Sequence, residues 1–176
     1  MSQKDFEQLD QYDFIDGEYL EKVKDKYASL IGLFLMRFSE LEHSLNLCIA
    51  EIVNSRAHDP GYAVVERLTV DNKIELFYKM YLHLVSNTNK EKKVLLQSLR
   101  DGLKSSNKFR NGLVHANWLS LKKDGSIRSK ITTDSEEGYI KFQISTITPK
   151  TIRDELKSLQ SLIGKLDAFC ESAFEL

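Results

Sequence analysis

Arg110, Asn111 and His115 stand within six residues of one another in the segment Arg-Asn-Gly-Leu-Val-His. The segment falls at the end of a stretch with helical periodicity, and Arg110 does not lie on its wet side. At about 100° per residue, Leu95, Leu96, Leu99, Leu103, Leu113 and Val114 form one apolar arc, with Arg110 near its middle. A guanidinium keeps its proton in such a place. It therefore needs a carboxylate partner, an interface or a ligand anion. The conflict between pattern and residue marks a candidate site.

A second face of the same helix carries Arg100, Lys104, Lys108, Asn111 and His115 within an arc of about 80°. Three cations leading to an amide and an imidazole read either as a track for a phosphate backbone or as a solvated charged face. Arg110 and His115, five residues apart, diverge by about 140° on an ideal helix. A long Arg, an irregular turn at Gly112 or a second subunit would bring them to one cleft. In a two-fold dimer each patch meets itself. The carboxylate expected to meet Arg110 is Glu42, which flanks the apolar stripe of the first helix beside Phe38, Leu45 and Ile49. A solvated Glu42 is the competing expectation.

These residues need a scaffold, and the spacing of apolar residues predicts one. An acidic N-terminal arm covers residues 1–18, followed by one domain over 19–176. Leu20, Val23, Tyr27, Leu30, Phe34, Phe38, Leu41, Leu45, Cys48 and Ile52 keep a 3-4 repeat over more than thirty residues, which predicts a long first helix. Asn-Ser-Arg-Ala-His-Asp-Pro-Gly at 54–61 breaks it, and Tyr62 to Leu68 offers one or two helical turns. Thr69 or Asp71 caps a helix carrying Ile74, Phe77, Tyr81 and Val85. Thr88-Asn89-Lys90-Glu91 is a capping box for the helix that ends in the Arg/His segment. From about 118 to 147 the period becomes alternating, with strands expected at 118–121, 127–133 and 139–145 and a Lys-Lys-Asp-Gly hairpin signal between the first two. Thr148-Pro149 opens the last helix. The expected fold is mainly α, a helical bundle with a small antiparallel β-meander inserted before its final helix.

Composition narrows the function classes. The chain has 176 residues, 41% hydrophobic and 29% charged, which is ordinary for a folded globular domain and argues against disorder. A net charge of −1 excludes a broad basic coat while leaving room for a local cationic stripe. Cys48 and Cys170 lack paired spacing and lie on apolar stripes, so they read as small hydrophobes, with neither a disulfide framework nor a zinc knuckle expected. His43, His58 and His83 are scattered, no His-Glu-x-x-His occurs, and neither metal nor cofactor is expected. The N-terminus has no signal pattern and no apolar run reaches membrane length, so a cytoplasmic protein without membrane attachment is expected.

Arg110, Asn111 and His115, with four residues between Arg and His, together with Phe38-x-x-Leu41-Glu42 on a long first helix, resemble the HEPN domain family. The resemblance covers about residues 20–117 and the last helix, and leaves the strand segment as an elaboration. It implies a metal-independent endoribonuclease acting as a homodimer, of the kind found in toxin–antitoxin and antiviral defence systems, with an antitoxin or defence-system partner. Arg110, Asn111 and His115 would then be catalytic, Arg100, Lys104 and Lys108 RNA-binding, and Glu42 supporting. The residue types suit such a reaction, since internal transfer needs proton transfer near neutral pH and positive charge on the phosphorane. One departure is Asn117, which stands where some toxin members carry a Tyr that their partner modifies. Some family members are inactive modules that bind RNA, a nucleotide or a protein partner, and that is the alternative reading here.

Overall fold

The computed structural model describes residues 17–85, 90–115, 117–122, 125–133 and 140–174. The N-terminal arm at 1–16 and the capping box at Thr88 lie outside the described residues. Five helices occur among those described: α1 (Gly17–Val53), α2 (Asp59–Val65), α3 (Val70–Val85), α4 (Lys90–Val114) and α5 (Pro149–Phe174). Between α4 and α5 lies the segment at 117–147, which carries no helix among its described residues. No described helix is long and apolar enough to cross a membrane.

Local chemistry sets the helix starts. Thr69 Oγ1 accepts the amide of Asn72 at 3.3 Å, so Thr69 rather than Asp71 caps α3. Thr148 Oγ1 accepts the amide of Thr151 at 3.0 Å, and Pro149 occupies the first helical position of α5, where its missing N–H costs nothing. Pro60 likewise sits in the first turn of the short α2.

The chain divides into two compact units, Met1–Phe34 with Asn111–Asp154, and Leu35–Arg110 with Glu155–Leu176; the divisions fall within α1, α4 and α5. In the first unit, Tyr27 is buried and donates its hydroxyl to the carbonyl of Ile147 at 3.1 Å. This bond joins α1 to the chain two residues before α5, and Ile152 on α5 is fully buried in the same unit.

The second unit is a bundle whose helix directions follow from its contacts. Lys73 reaches Glu42 and Tyr81 reaches the Cys48 carbonyl, so α1 and α3 run the same way. Asn107 meets Asp71, while Lys104 and Arg100 meet Glu75, so α4 runs against α3. Gly102 faces Leu162 and Lys92 meets the Ser172 carbonyl, so α5 runs against α4. Phe77, Tyr81 and Phe169 pack as an aromatic triad, with centroids 4.7, 5.4 and 6.3 Å apart. Burial pushes the Tyr81 phenol well above its ordinary range, with the charge of Glu51 adding to it. Gly61 brings α2 onto α1 so closely that a Cβ there would lie 2.2 Å from the Ala50 Cα. A glycine at position 61 thus lets α2 approach the α1 backbone at Ala50.

The two cysteines correct the expectation drawn from spacing. Cys48 and Cys170 form a disulfide across 122 residues, with Cα atoms 6.1 Å apart. Both sit on apolar stripes as expected, but the packing of α5 beside α1 brings the stripes together, which sequence spacing does not encode.

Candidate functional site

Helix α4 supplies most of the candidate residues, and its buried face changes character along its length. Leu96, Leu99 and Leu103 are almost completely buried. The next positions of the same stripe are Ser106 and Asn107, also buried, and then Arg110, half-buried, before Leu113 restores the apolar pattern. Leu95 and Val114 stand at the edge of this arc and are exposed. The Arg110 guanidinium carbon lies over the Phe38 ring, 6.0 Å from its centroid, at the outer limit of a cation–π contact.

Glu42 does not make the expected pair with Arg110. Its carboxylate accepts a hydrogen bond from Lys73 Nζ at 2.6 Å, and the Lys73 side chain is only 7% exposed. Lys73 lies one and two turns before Phe77 and Tyr81 on the buried stripe of α3, so its ammonium enters the bundle beside α1. A buried ammonium without a carboxylate is costly, and this demand places Glu42 opposite Lys73. Beside it, Asn107 is 4% exposed and donates from Nδ2 to Asp71 Oδ1 at 2.8 Å. Phe38, Glu42, Asp71, Lys73, Asn107 and Arg110 therefore line the contacts among α1, α3 and α4 in the larger unit.

The basic stripe is partly neutralised within the fold. Arg100 donates from Nη2 to both oxygens of Glu75 at 2.8 Å and from Nε at 3.1 Å, and Lys104 approaches the same carboxylate at 2.5 Å. The Lys104 and then the Arg100 hydrogen bonds hold the Glu75 carboxyl below its usual range. Arg100 also stacks 4.5 Å from the Tyr78 ring centroid. Asp71, Glu75 and Tyr78 on α3 thus match Asn107, Lys104 and Arg100 on α4 rung by rung. Lys108 is exposed.

Asn111 and His115 belong to the smaller unit. The helix continues regularly through this turn: the His115 amide donates to the Asn111 carbonyl at 3.0 Å, and Gly112 introduces no irregularity into the helical hydrogen bonding. The two side chains start one turn apart on one face, with Asn111 half-buried and His115 exposed. Arg110 ends the larger unit's α4 segment and Asn111 begins that of the smaller one.

Sequence reasoning singled out Arg110 as a polar residue on an apolar stripe. The same signal was present at Ser106, Asn107 and Lys73, all three of them buried. Glu75 and Asp71 carried no such signal, since a carboxylate on an amphipathic helix reads as solvent-facing. Elsewhere in the larger unit, His58 donates to Glu51 Oε2 at 2.6 Å. Among the described residues no group of three or more His, Cys, Asp or Glu could hold a metal ion. No family model, curated protein or solved structure matches the chain.

Proposed function

We propose that this chain is a HEPN-type, metal-independent endoribonuclease that acts as a cytoplasmic homodimer, with an antitoxin or defence-system partner. The strand segment at about 118–147 is, in this proposal, an antiparallel meander inserted into the helical bundle. The observation that supports the reading best is the end of α4, where Asn111 and an exposed His115 stand one turn apart on one face of the helix. In the proposed reaction the substrate's 2′-oxygen attacks the adjacent phosphorus and the P–O5′ bond breaks. A base takes the 2′-hydroxyl proton and an acid returns one to the leaving 5′-oxygen, leaving a 2′,3′-cyclic phosphate. His115 is assigned to proton transfer. Arg110 stabilises charge on the phosphorane through its planar fork. Asn111 orients the imidazole or holds a phosphate oxygen, and a second copy of the segment completes the site across the two-fold axis. Lys108 is assigned to contact with the RNA backbone, with Arg100 and Lys104 contributing after release from Glu75.

The engagement of Arg100 and Lys104 by Glu75 favours a second reading. A phosphate track with two of its three cations bound inside the fold is shortened, which suits a catalytically inactive HEPN-like module that binds RNA, a nucleotide or a protein partner.

The test compares wild type with His115→Ala and Arg110→Ala on mixed single-stranded and transfer RNA in EDTA. The nuclease reading expects cyclic-phosphate products from wild type and at least a hundredfold less from either variant. Salt-sensitive RNA retention without cleavage would move the assignment to the binding module. Equal cleavage by all three proteins would overturn the assignment of His115 and Arg110.

A further inference from the structure

The disulfide between Cys48 and Cys170 joins two helices that the aromatic triad also joins, but its two ends are not equivalent. Cys48 lies within α1, with its carbonyl accepting the Tyr81 hydroxyl at 3.4 Å and with Leu45, Ile49 and Ala50 almost fully buried around it. Cys170 lies in the last described turns of α5 (Pro149–Phe174). Its last turns are held by Phe169 against Phe77 and Tyr81, and by Lys92 Nζ donating to the Ser172 carbonyl at 2.9 Å. Cys170 is 9% exposed against 5% for Cys48, so Cys170 is the more accessible end of the pair.

We propose that the Cys48–Cys170 pair is a thiol–disulfide exchange clasp of the larger unit, opened at Cys170 by a low-molecular-weight thiol. In the first step the small thiolate bonds to Cys170 Sγ, the Cys170–Cys48 bond breaks, and Cys48 leaves as a thiolate that takes up a proton. In the second, another small thiolate bonds to the small-molecule sulfur of the mixed disulfide, that sulfur's bond to Cys170 Sγ breaks, and Cys170 leaves as a thiolate. The net change is two electrons passed from two small thiols, which become a disulfide, to the protein, which becomes a dithiol. Closure is the reverse, with a small-molecule disulfide as oxidant. Because the link spans 122 residues, it removes a large share of the unfolded chain's freedom, and its loss weakens the unit that carries Arg110, Lys73 and Asn107. The proposal goes beyond the nuclease reading and does not depend on it.

The test uses the full chain purified without reductant. Thiol titration in denaturant should find none before reduction and two after dithiothreitol. The melting temperature should fall by about 10 °C or more on reduction. Native incubation with reduced glutathione followed by acid quench and peptide mapping should place the mixed disulfide on Cys170. With oxidised glutathione, Cys48→Ser should acquire an adduct at Cys170 at least tenfold faster than Cys170→Ser acquires one at Cys48. Two titratable thiols in the unreduced chain, a melting temperature indifferent to reductant, or a wild-type adduct mapped first to Cys48 would each overturn the proposal. RNA cleavage enters none of these readouts, so failure here leaves the nuclease assignment untouched, and the reverse holds too.

Discussion

Lys73 Nζ lies 2.6 Å from Glu42 Oε1, and the lysine is the buried partner, with 7% of its side chain exposed against 32% for the glutamate. The pair is therefore asymmetric in what each substitution leaves behind. Glu42→Gln strands an ammonium in the bundle, whereas Lys73→Met leaves a carboxylate that can still reach water and replaces the lysine with an apolar chain of similar length. Glu42→Gln should cost about 3 kcal/mol in urea unfolding, while Lys73→Met should cost no more than about 1 kcal/mol. Equal losses would mean that the lysine is not the buried member.

Glu75 predicts an acid limb in the stability of the α3–α4 contact. Its folded-state pKa is lowered by Lys104 and Arg100. The contribution is therefore fully present above the unfolded value of about 4.3 and is lost as pH falls through the folded value. Both partners are substantially solvated, so the effect is small. Glu75→Gln should lower the melting temperature by a few degrees at pH 7 and leave it nearly unchanged at pH 3. A variant deficit that persists at pH 3 would show that the contact acts through packing instead of charge.

Two glycines should respond differently to the same substitution. A Cβ at Gly61 meets the Ala50 backbone at 2.2 Å and its Cβ at 2.6 Å, so α2 must move away from α1. Gly61→Ala should destabilise by about 2–3 kcal/mol, and Ala50→Gly should not rescue it, because the Cα clash remains. At Gly102 the nearest atom is Leu162 Cδ1 at 2.9 Å, the end of a side chain that can turn. There the helix preference of Ala, about 1 kcal/mol, offsets the crowding, and chemical denaturation should find Gly102→Ala within about 1 kcal/mol of wild type.

The cations of α4 should separate in RNA binding if the nuclease or RNA-binding proposal holds. Lys108 is exposed, whereas Lys104 is held by Glu75. Lys108→Ala should weaken RNA binding several-fold and reduce the salt slope by about one, with a smaller change for Lys104→Ala. Glu75→Gln should strengthen binding by freeing Arg100 and Lys104. Filter binding across a salt series reads all three, and a larger loss at Lys104 than at Lys108 would contradict the assignment.

The mismatch that revealed Arg110 also shows how far one-dimensional pattern reaches. The 3-4 spacing from Tyr27 to Cys48 and from Leu96 to Leu113 determined where helices run and which faces turn inward, because side-chain direction along a helix is fixed by its pitch. Thr69 and Thr148-Pro149 determined helix starts, because their chemistry acts within one turn. The pairing of charges was decided elsewhere. Glu42 flanked the stripe where a guanidinium seemed to need it, yet Lys73 from α3 took it, and Glu75 took the two cations that read as a free track. The disulfide followed the same rule: two cysteines 122 residues apart on apolar stripes become partners only when α5 lies beside α1. Helix faces come from local geometry and belong to the sequence. Which face meets which depends on how the helices pack against one another, and that is settled only by the tertiary structure.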